Sequence, residues 1–122
     1  LIKLEEVQPG VPQILNPWDK NMEKNRLGFA KWLVDKKNPL TARTLVNRIW
    51  YQIFGKALVS TVEDMGTMAD TPSHPALLEW LAYEFMHSMN WNIKKLIKTI
   101  SVKLVIYPYN ARWSGFPIFL NG

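Results

Sequence analysis

The chain has 122 residues, no cysteine, 48% hydrophobic residues and a formal net charge of +5, a composition typical of one small globular domain. Without cysteine the chain cannot form disulfides or thiolate metal sites. The sequence therefore does not indicate whether the protein works in an oxidising or a reducing compartment. No apolar run is long enough for a transmembrane helix.

Residues 1–24 predict an extended N-terminal segment. Pro9-Gly10 is a turn dipeptide, and Pro12 and Pro17 keep the chain extended around it. Because the sequence starts with Leu1 rather than Met, we expect it to be a piece of a longer polypeptide. The missing signal peptide therefore says nothing about the targeting of the longer protein.

Two helices are predicted next. The first begins after Asn25, an amide suited to capping, and ends at Asn38-Pro39. Gly28 inside this helix indicates close packing. The second helix is capped by Thr41 and ends at Gly55, where a left-handed residue is commonly needed.

The second half predicts one long ordered loop, Lys56 to His74, followed by two more helices. Ala57–Val59 is a candidate for a brief extended piece within that loop. Pro75 indicates a helix start with Ser73 or His74 at the cap, and a shorter helix starts near Asn92.

The chain after Ile100 has no helical period. This segment contains the β-branched residues Val102, Val105 and Ile106, and we expect it to form an added strand or an unsupported tail. We therefore divide the chain into an extended segment (1–24), a helical domain (25–100) and an atypical tail (101–122).

The expected fold is mainly α, with about four helices around one core and an irregular or weakly β tail. The periodic apolar positions predict the core. They are Leu27, Ala30, Leu33, Leu45, Val46, Ile49, Ile53, Leu78, Leu81, Phe85, Leu96 and Ile97.

The candidate site residues are Arg43, Asn47, Asp64 and His74. Arg43 and Asn47 share one face of the second helix, whereas Arg48 lies about 100° away and is interpreted as the structural arginine. An arginine beside an apolar stripe often pairs with a carboxylate, and a mid-helix asparagine requires a bonding partner. A structural role and a ligand-binding role both remain open for these side chains.

Neither a metal site nor a phosphate-binding loop is predicted. Glu63, Asp64, Asp70 and His74 share a loop but match no ligand spacing. His74 is interpreted as a capping residue and His87 as a partner for a helix end. Lys94, Lys95 and Lys98 form a basic face without a nucleic-acid-reading motif, so we interpret them as solvated.

Six segments in order carry a resemblance to a known family. They are "EEVQPGVPQIL" (5–15), "NRLGFAKWLV" (25–34), "NPLTARTLVNRIW" (38–50), "FGKALVSTVEDMG" (54–66), "PSHPALLEWLAYEF" (72–85) and "WNIKKLIKTI" (91–100). From about Glu5 to Ile100 the chain resembles domain of unknown function 1553, a planctomycete-type domain.

The resemblance implies context rather than a reaction. Members of the family typically lie in the C-terminal part of long secreted proteins, beside domain of unknown function 1549 and often a cytochrome c-like domain. No cofactor is expected in this chain, and haem is expected only in companion domains. The family's characteristic residues map onto Asn38, Pro39, Arg43, Asn47, Arg48, Trp50, Gly55, Asp64, Gly66, His74, Pro75 and Trp80.

The end of the chain departs from the family, which continues with further helical sequence after the last shared helix. Here Ser101 is followed by an unrelated tail, so we hypothesise a truncated or out-of-frame C-terminus.

Three functions follow as hypotheses. The leading one is an accessory or interaction module of a large periplasmic or secreted protein, with other domains of the same polypeptide as partners. Electron transfer through a c-type cytochrome and polysaccharide breakdown are its possible settings. The second is part of an enzyme whose site is completed by companion domains, and the third is a basic helical nucleic-acid binder.

Overall fold

A computed structural model describes residues 4–104, with side chains through Val102, and its described part is mainly α as expected. The chain divides into two compact units, Leu1–Pro39 and Leu40–Gly122. The first unit holds α1 (Arg26–Leu33). The second holds α2 (Leu40–Phe54), α3 (Pro75–Met86), α4 (Ile93–Thr99) and a π-helical turn (Ile100–Leu104). The predicted domain boundaries after residues 24 and 100 stay predictions.

Helix α1 begins where the sequence predicted, with Asn25 as its cap. The Asn25 side-chain oxygen accepts a hydrogen bond from the Gly28 amide at 2.9 Å. The helix already ends at Leu33, so the prediction that Asn38-Pro39 ends it is wrong. Those two residues instead lie immediately before α2.

The buried face of α1 differs from the predicted one. Trp32 is buried and its indole N–H donates to the carbonyl of Asn16 at 2.8 Å. Gly28 is also buried, and a Cβ there would lie 1.9 Å from the Glu23 carbonyl oxygen, which confirms the predicted close packing.

The predicted α1 core is therefore wrong at Leu27 and Ala30, which are exposed, and Leu33 is half-buried. Contacts with the irregular segment before α1 select the Gly28–Trp32 side. A periodicity count inside the helix contains no information about that segment.

Helix α2 buries Ala42, Val46 and Asn47, while Leu45 and Ile49 pack partly buried against the same core. The predicted cap is wrong, because the helix begins at Leu40 and Thr41 lies inside it. The prediction of Ile53 as core is also wrong, since its position in the last turn is exposed.

The loop after α2 supplies part of the core. Gly55 has a φ of 71°, which confirms the left-handed residue expected at the helix end. Leu58 and Val59 are buried in the cluster formed with α2 and α3. No strand forms at Ala57–Val59. The Leu58 carbonyl instead accepts a hydrogen bond from the Ser73 amide at 2.8 Å.

Helix α3 matches the sequence prediction most closely. Pro75 occupies its first turn and His74 the cap position, although the His74 side chain makes no capping hydrogen bond. The buried face carries Leu77, Leu78, Leu81, Ala82 and Phe85.

The α3–α4 connection contains two consecutive non-glycine residues with positive φ, Asn90 at 47° and Trp91 at 61°. The Trp91 ring packs edge-on against Phe85, with centroids 5.3 Å apart. Trp91 also donates its backbone N–H to the Phe85 carbonyl at 2.8 Å. These contacts stabilise a backbone conformation that bulky residues rarely adopt.

Helix α4 begins after Asn92, close to the predicted start, and the Asn92 side-chain oxygen accepts from the Lys95 amide at 3.1 Å. Leu96 and Ile100 are buried, but Ile97 is exposed, so its prediction as core is wrong. Val102 belongs to the π-helical turn rather than to a strand. Val105, Ile106 and the hypothesis of an out-of-frame tail lie outside the described residues.

Candidate functional site

Asn47 is fully buried and bonds the backbone of the loop after α2. Its amide nitrogen donates to the Val59 carbonyl at 3.0 Å, and its oxygen accepts from the Val59 amide at 2.9 Å. The same nitrogen lies 3.9 Å from the Met65 sulfur. The Asn47 carboxamide therefore bonds both backbone polar groups of Val59. It is buried, and it stabilises the loop rather than facing solvent.

Arg43 forms a bidentate ion pair with Glu79 on α3. The distances are 2.7 Å from Nε to Oε1 and 2.8 Å from Nη2 to Oε2. The side chains are 33% and 57% exposed, so solvent screens the charges while the planar geometry still orients both groups. The pair connects α2 to α3, which are the two helices that share the largest part of the core.

Arg48 pairs separately with Glu63, at 3.3 Å from Nη2 to Oε2. These side chains are 51% and 88% exposed. The two arginines therefore have different partners, as their positions on α2 predicted. Of the two pairs, Arg43–Glu79 is the shorter and the less exposed.

Asp64 and Asp70 both hold the loop through hydrogen bonds. The Asp64 carboxylate accepts from the Gly66 amide at 2.8 Å. Thr61 donates its hydroxyl to the Asp64 carbonyl at 2.9 Å and accepts from the Asp70 amide at 3.1 Å. Ser60 completes the network by donating to the Asp70 carboxylate.

His74 lies exposed at the start of α3, with its Nδ1 3.0 Å from the Ser73 hydroxyl oxygen. The other histidine, His87, donates from Nδ1 to the Tyr83 carbonyl at 2.9 Å and stacks on the Tyr83 ring. His87 therefore has the helix-end role that the sequence indicated.

The four candidate residues thus have separate partners: Arg43 with Glu79, Asn47 with Val59, Asp64 with Gly66, and His74 with Ser73. Within residues 4–104, no group of three or more His, Asp or Glu side chains could hold a metal ion. A catalytic role for any of the four stays a prediction.

One concave feature was not predicted from the sequence. A cavity of about 230 Å³ lies along α3 and α4 and is lined by Trp80, Glu84, Ser88, Met89, Lys95, Lys98 and Thr99. Its residues come from two helices and their connecting turn, so the spacing within any one segment could not indicate it.

Comparisons with known proteins give one match. A family model described as PSD1, protein of unknown function (DUF1553), matches residues 25–103. No curated protein and no solved structure matches the chain. No helix within residues 4–104 has the length and apolar character needed to cross a membrane.

Proposed function

Because the chain belongs to the DUF1553 family, we propose that it is a non-catalytic interaction module of a longer extracytoplasmic polypeptide. Other domains of that polypeptide are its partners. They carry the chemistry, with c-type cytochrome electron transfer and polysaccharide breakdown as the settings that the family resemblance suggests.

The observation that carries this proposal is the exposed apolar side of α1. Leu27 and Val34 are 62% and 48% exposed, and with Ala30 they lie on one side of the helix. A surface helix normally buries such a stripe, and exposed apolar surface often marks an interaction site. The stripe therefore supports a role in contacting another domain.

The contacts of the polar candidates support the non-catalytic part of the proposal. The Asn47 side chain bonds the backbone of Val59, and the Arg43 side chain is oriented by Glu79. Neither side chain needs a ligand to explain its position. Both residues hold α2, α3 and the intervening loop together, and this structural role explains why they are among the family's characteristic residues.

Hydrogen–deuterium exchange tests the interaction. The amides of α1 should exchange at least about tenfold more slowly in the longer polypeptide than in the 122-residue chain, whereas the core amides of α3 should change little. A Leu27→Ser/Val34→Ser double variant should abolish the added protection of α1. Equal α1 exchange in both proteins would contradict the proposed interface.

Turnover measurements test the non-catalytic part. Once a reaction of the longer polypeptide is identified, Arg43→Ala and His74→Ala should leave kcat within about threefold of the parent value. A loss of more than about a hundredfold, with the unfolding midpoint unchanged, would assign these residues to a catalytic site instead.

A further inference from the structure

The cavity along α3 and α4 has walls of opposite charge. Glu84 contributes a carboxylate from α3, and Lys95 and Lys98 contribute two ammonium groups from α4. The ion pairs recorded within residues 4–104 are Arg43–Glu79 and Arg48–Glu63, and neither includes these three groups. The cavity therefore presents one carboxylate and two ammonium groups that are not ion-paired with each other.

The remaining lining of the cavity is partly apolar. Met89 and Trp80 line the cavity with apolar surface, so both can contact a nonpolar group of a ligand. Ser88 and Thr99 add hydroxyl groups that donate and accept hydrogen bonds. Apolar surface combined with a few polar groups is typical of small-molecule sites.

The backbone at the end of the cavity is fixed by the α3–α4 turn. Met89 donates its backbone N–H to the Glu84 carbonyl at 2.9 Å, and Asn92 donates to the Met89 carbonyl at 3.0 Å. The positive φ values of Asn90 and Trp91 immediately follow these lining residues. Sparsely populated backbone conformations of this kind often occur at ligand sites, where the surrounding structure stabilises them.

We propose that this cavity binds a free α-amino acid with an apolar or aromatic side chain. The ligand's ammonium group pairs with Glu84, its carboxylate pairs with Lys95 and Lys98, and its side chain contacts Met89 and Trp80. A simple anion would leave Glu84 unpaired beside it, and a simple cation would lie next to two ammonium groups. A zwitterion gives every charged wall a partner.

The size of the cavity agrees with a ligand of this class. Its volume of about 230 Å³ is below the roughly 300–1,000 Å³ typical of sites for drug-sized ligands. The lysines are exposed, so solvent screening predicts weak, salt-sensitive binding with a Kd on the order of 1 mM.

Titration of the 122-residue chain with L-phenylalanine, followed by ¹H–¹⁵N NMR, tests the site. The amides of Met89, Lys95 and Thr99 should shift together and saturate. Two matched probes each remove one ligand charge: N-acetyl-L-phenylalanine lacks the ammonium group, and L-phenylalanine amide lacks the carboxylate. Each should bind about threefold to fivefold more weakly, as expected for the loss of one exposed ion pair.

Protein variants give the reciprocal test. Glu84→Gln should weaken L-phenylalanine binding and remove its advantage over the N-acetyl probe, and Lys95→Gln/Lys98→Gln should remove its advantage over the amide. Lys94→Gln is the control, because it deletes one lysine charge from α4 outside the cavity lining. It should change the affinity less than about twofold.

Three results would overturn the proposal. Equal affinity for the N-acetyl probe would indicate a plain anion site, and equal affinity for the amide would indicate a cation site. The absence of saturable shifts up to about 10 mM L-phenylalanine would show that no amino-acid site exists at this cavity.

Discussion

Helices α1 and α3 are both short and amphipathic, but α3 buries the apolar stripe predicted from its sequence and α1 exposes it. Helix α3 buries the stripe that its sequence predicts, including Leu81 and Phe85. Helix α1 exposes Leu27 and buries Gly28 and Trp32 instead. The difference teaches that periodicity identifies an apolar face, while the neighbouring segments decide whether that face is covered within the chain.

The largest expected effect comes from a substitution in the buried face of α3. Phe85→Ala should lower the free energy of unfolding by about 3–5 kcal/mol, since it leaves a cavity in the α3 core. Leu27→Ala, the matched substitution on exposed α1, should cost at most about 0.5 kcal/mol. Urea unfolding followed by circular dichroism measures both, and comparable losses would show that the two stripes are equally covered.

The next effect concerns the polar side chain within the same core. Asn47→Ala should cost roughly 2–4 kcal/mol, because it leaves the buried amide and carbonyl of Val59 without side-chain partners. Arg48→Ala, at the adjacent exposed position, should cost about 0–1 kcal/mol. If the two variants unfold at the same urea concentration, Asn47 does not stabilise the loop as its hydrogen bonds indicate.

A glycine substitution probes the side that α1 does bury. Gly28→Ala should destabilise the first unit by about 1–3 kcal/mol, because the added Cβ collides with the Glu23 carbonyl. Gly10→Ala is the control, since a Cβ there has no heavy atom within 4 Å. Hydrogen exchange of the Trp32 indole reports the opening of this unit, and unchanged exchange would place Gly28 in open space.

The smallest effect measures the connection between α2 and α3. A double-mutant cycle with Arg43→Ala and Glu79→Ala should give a coupling free energy of about 0.3–1 kcal/mol, reduced by added salt. The equivalent cycle for Arg48 and Glu63 should give less, because that pair is longer and more exposed. A stronger coupling for Arg48 and Glu63 would reverse this ranking.

The fold was predictable wherever one helix carried its own information. Asn25 caps α1 as predicted, α4 begins near Asn92, Gly55 adopts a left-handed conformation, and the α3 stripe is buried. These features depend on local hydrogen bonding and on 3.6-residue periodicity, both of which are visible in the sequence. The exposed Ile53 and Ile97 lie near helix ends, where periodicity alone does not show how far the core extends.

The candidate site was predictable only in part. The sequence indicated that Arg43 and Asn47 share a face and that an arginine could pair with a carboxylate, as Arg43 does with Glu79 and Arg48 with Glu63. It did not identify Val59 as the partner of Asn47 or Glu79 as the partner of Arg43. Those partners lie in other segments, and a single sequence contains no measure of which segments meet.

The pairing of Asn47 with Val59 has a consequence for a chain without cysteine. By bonding both backbone groups of Val59, the Asn47 carboxamide acts as a neighbouring β-strand would and bridges the 12 residues between Asn47 and Val59. A disulfide closing a loop of similar length would contribute roughly 3 kcal/mol through the unfolded state, but only under oxidising conditions. The amide closure is insensitive to thiols, so the loop keeps the same attachment in oxidising and reducing compartments.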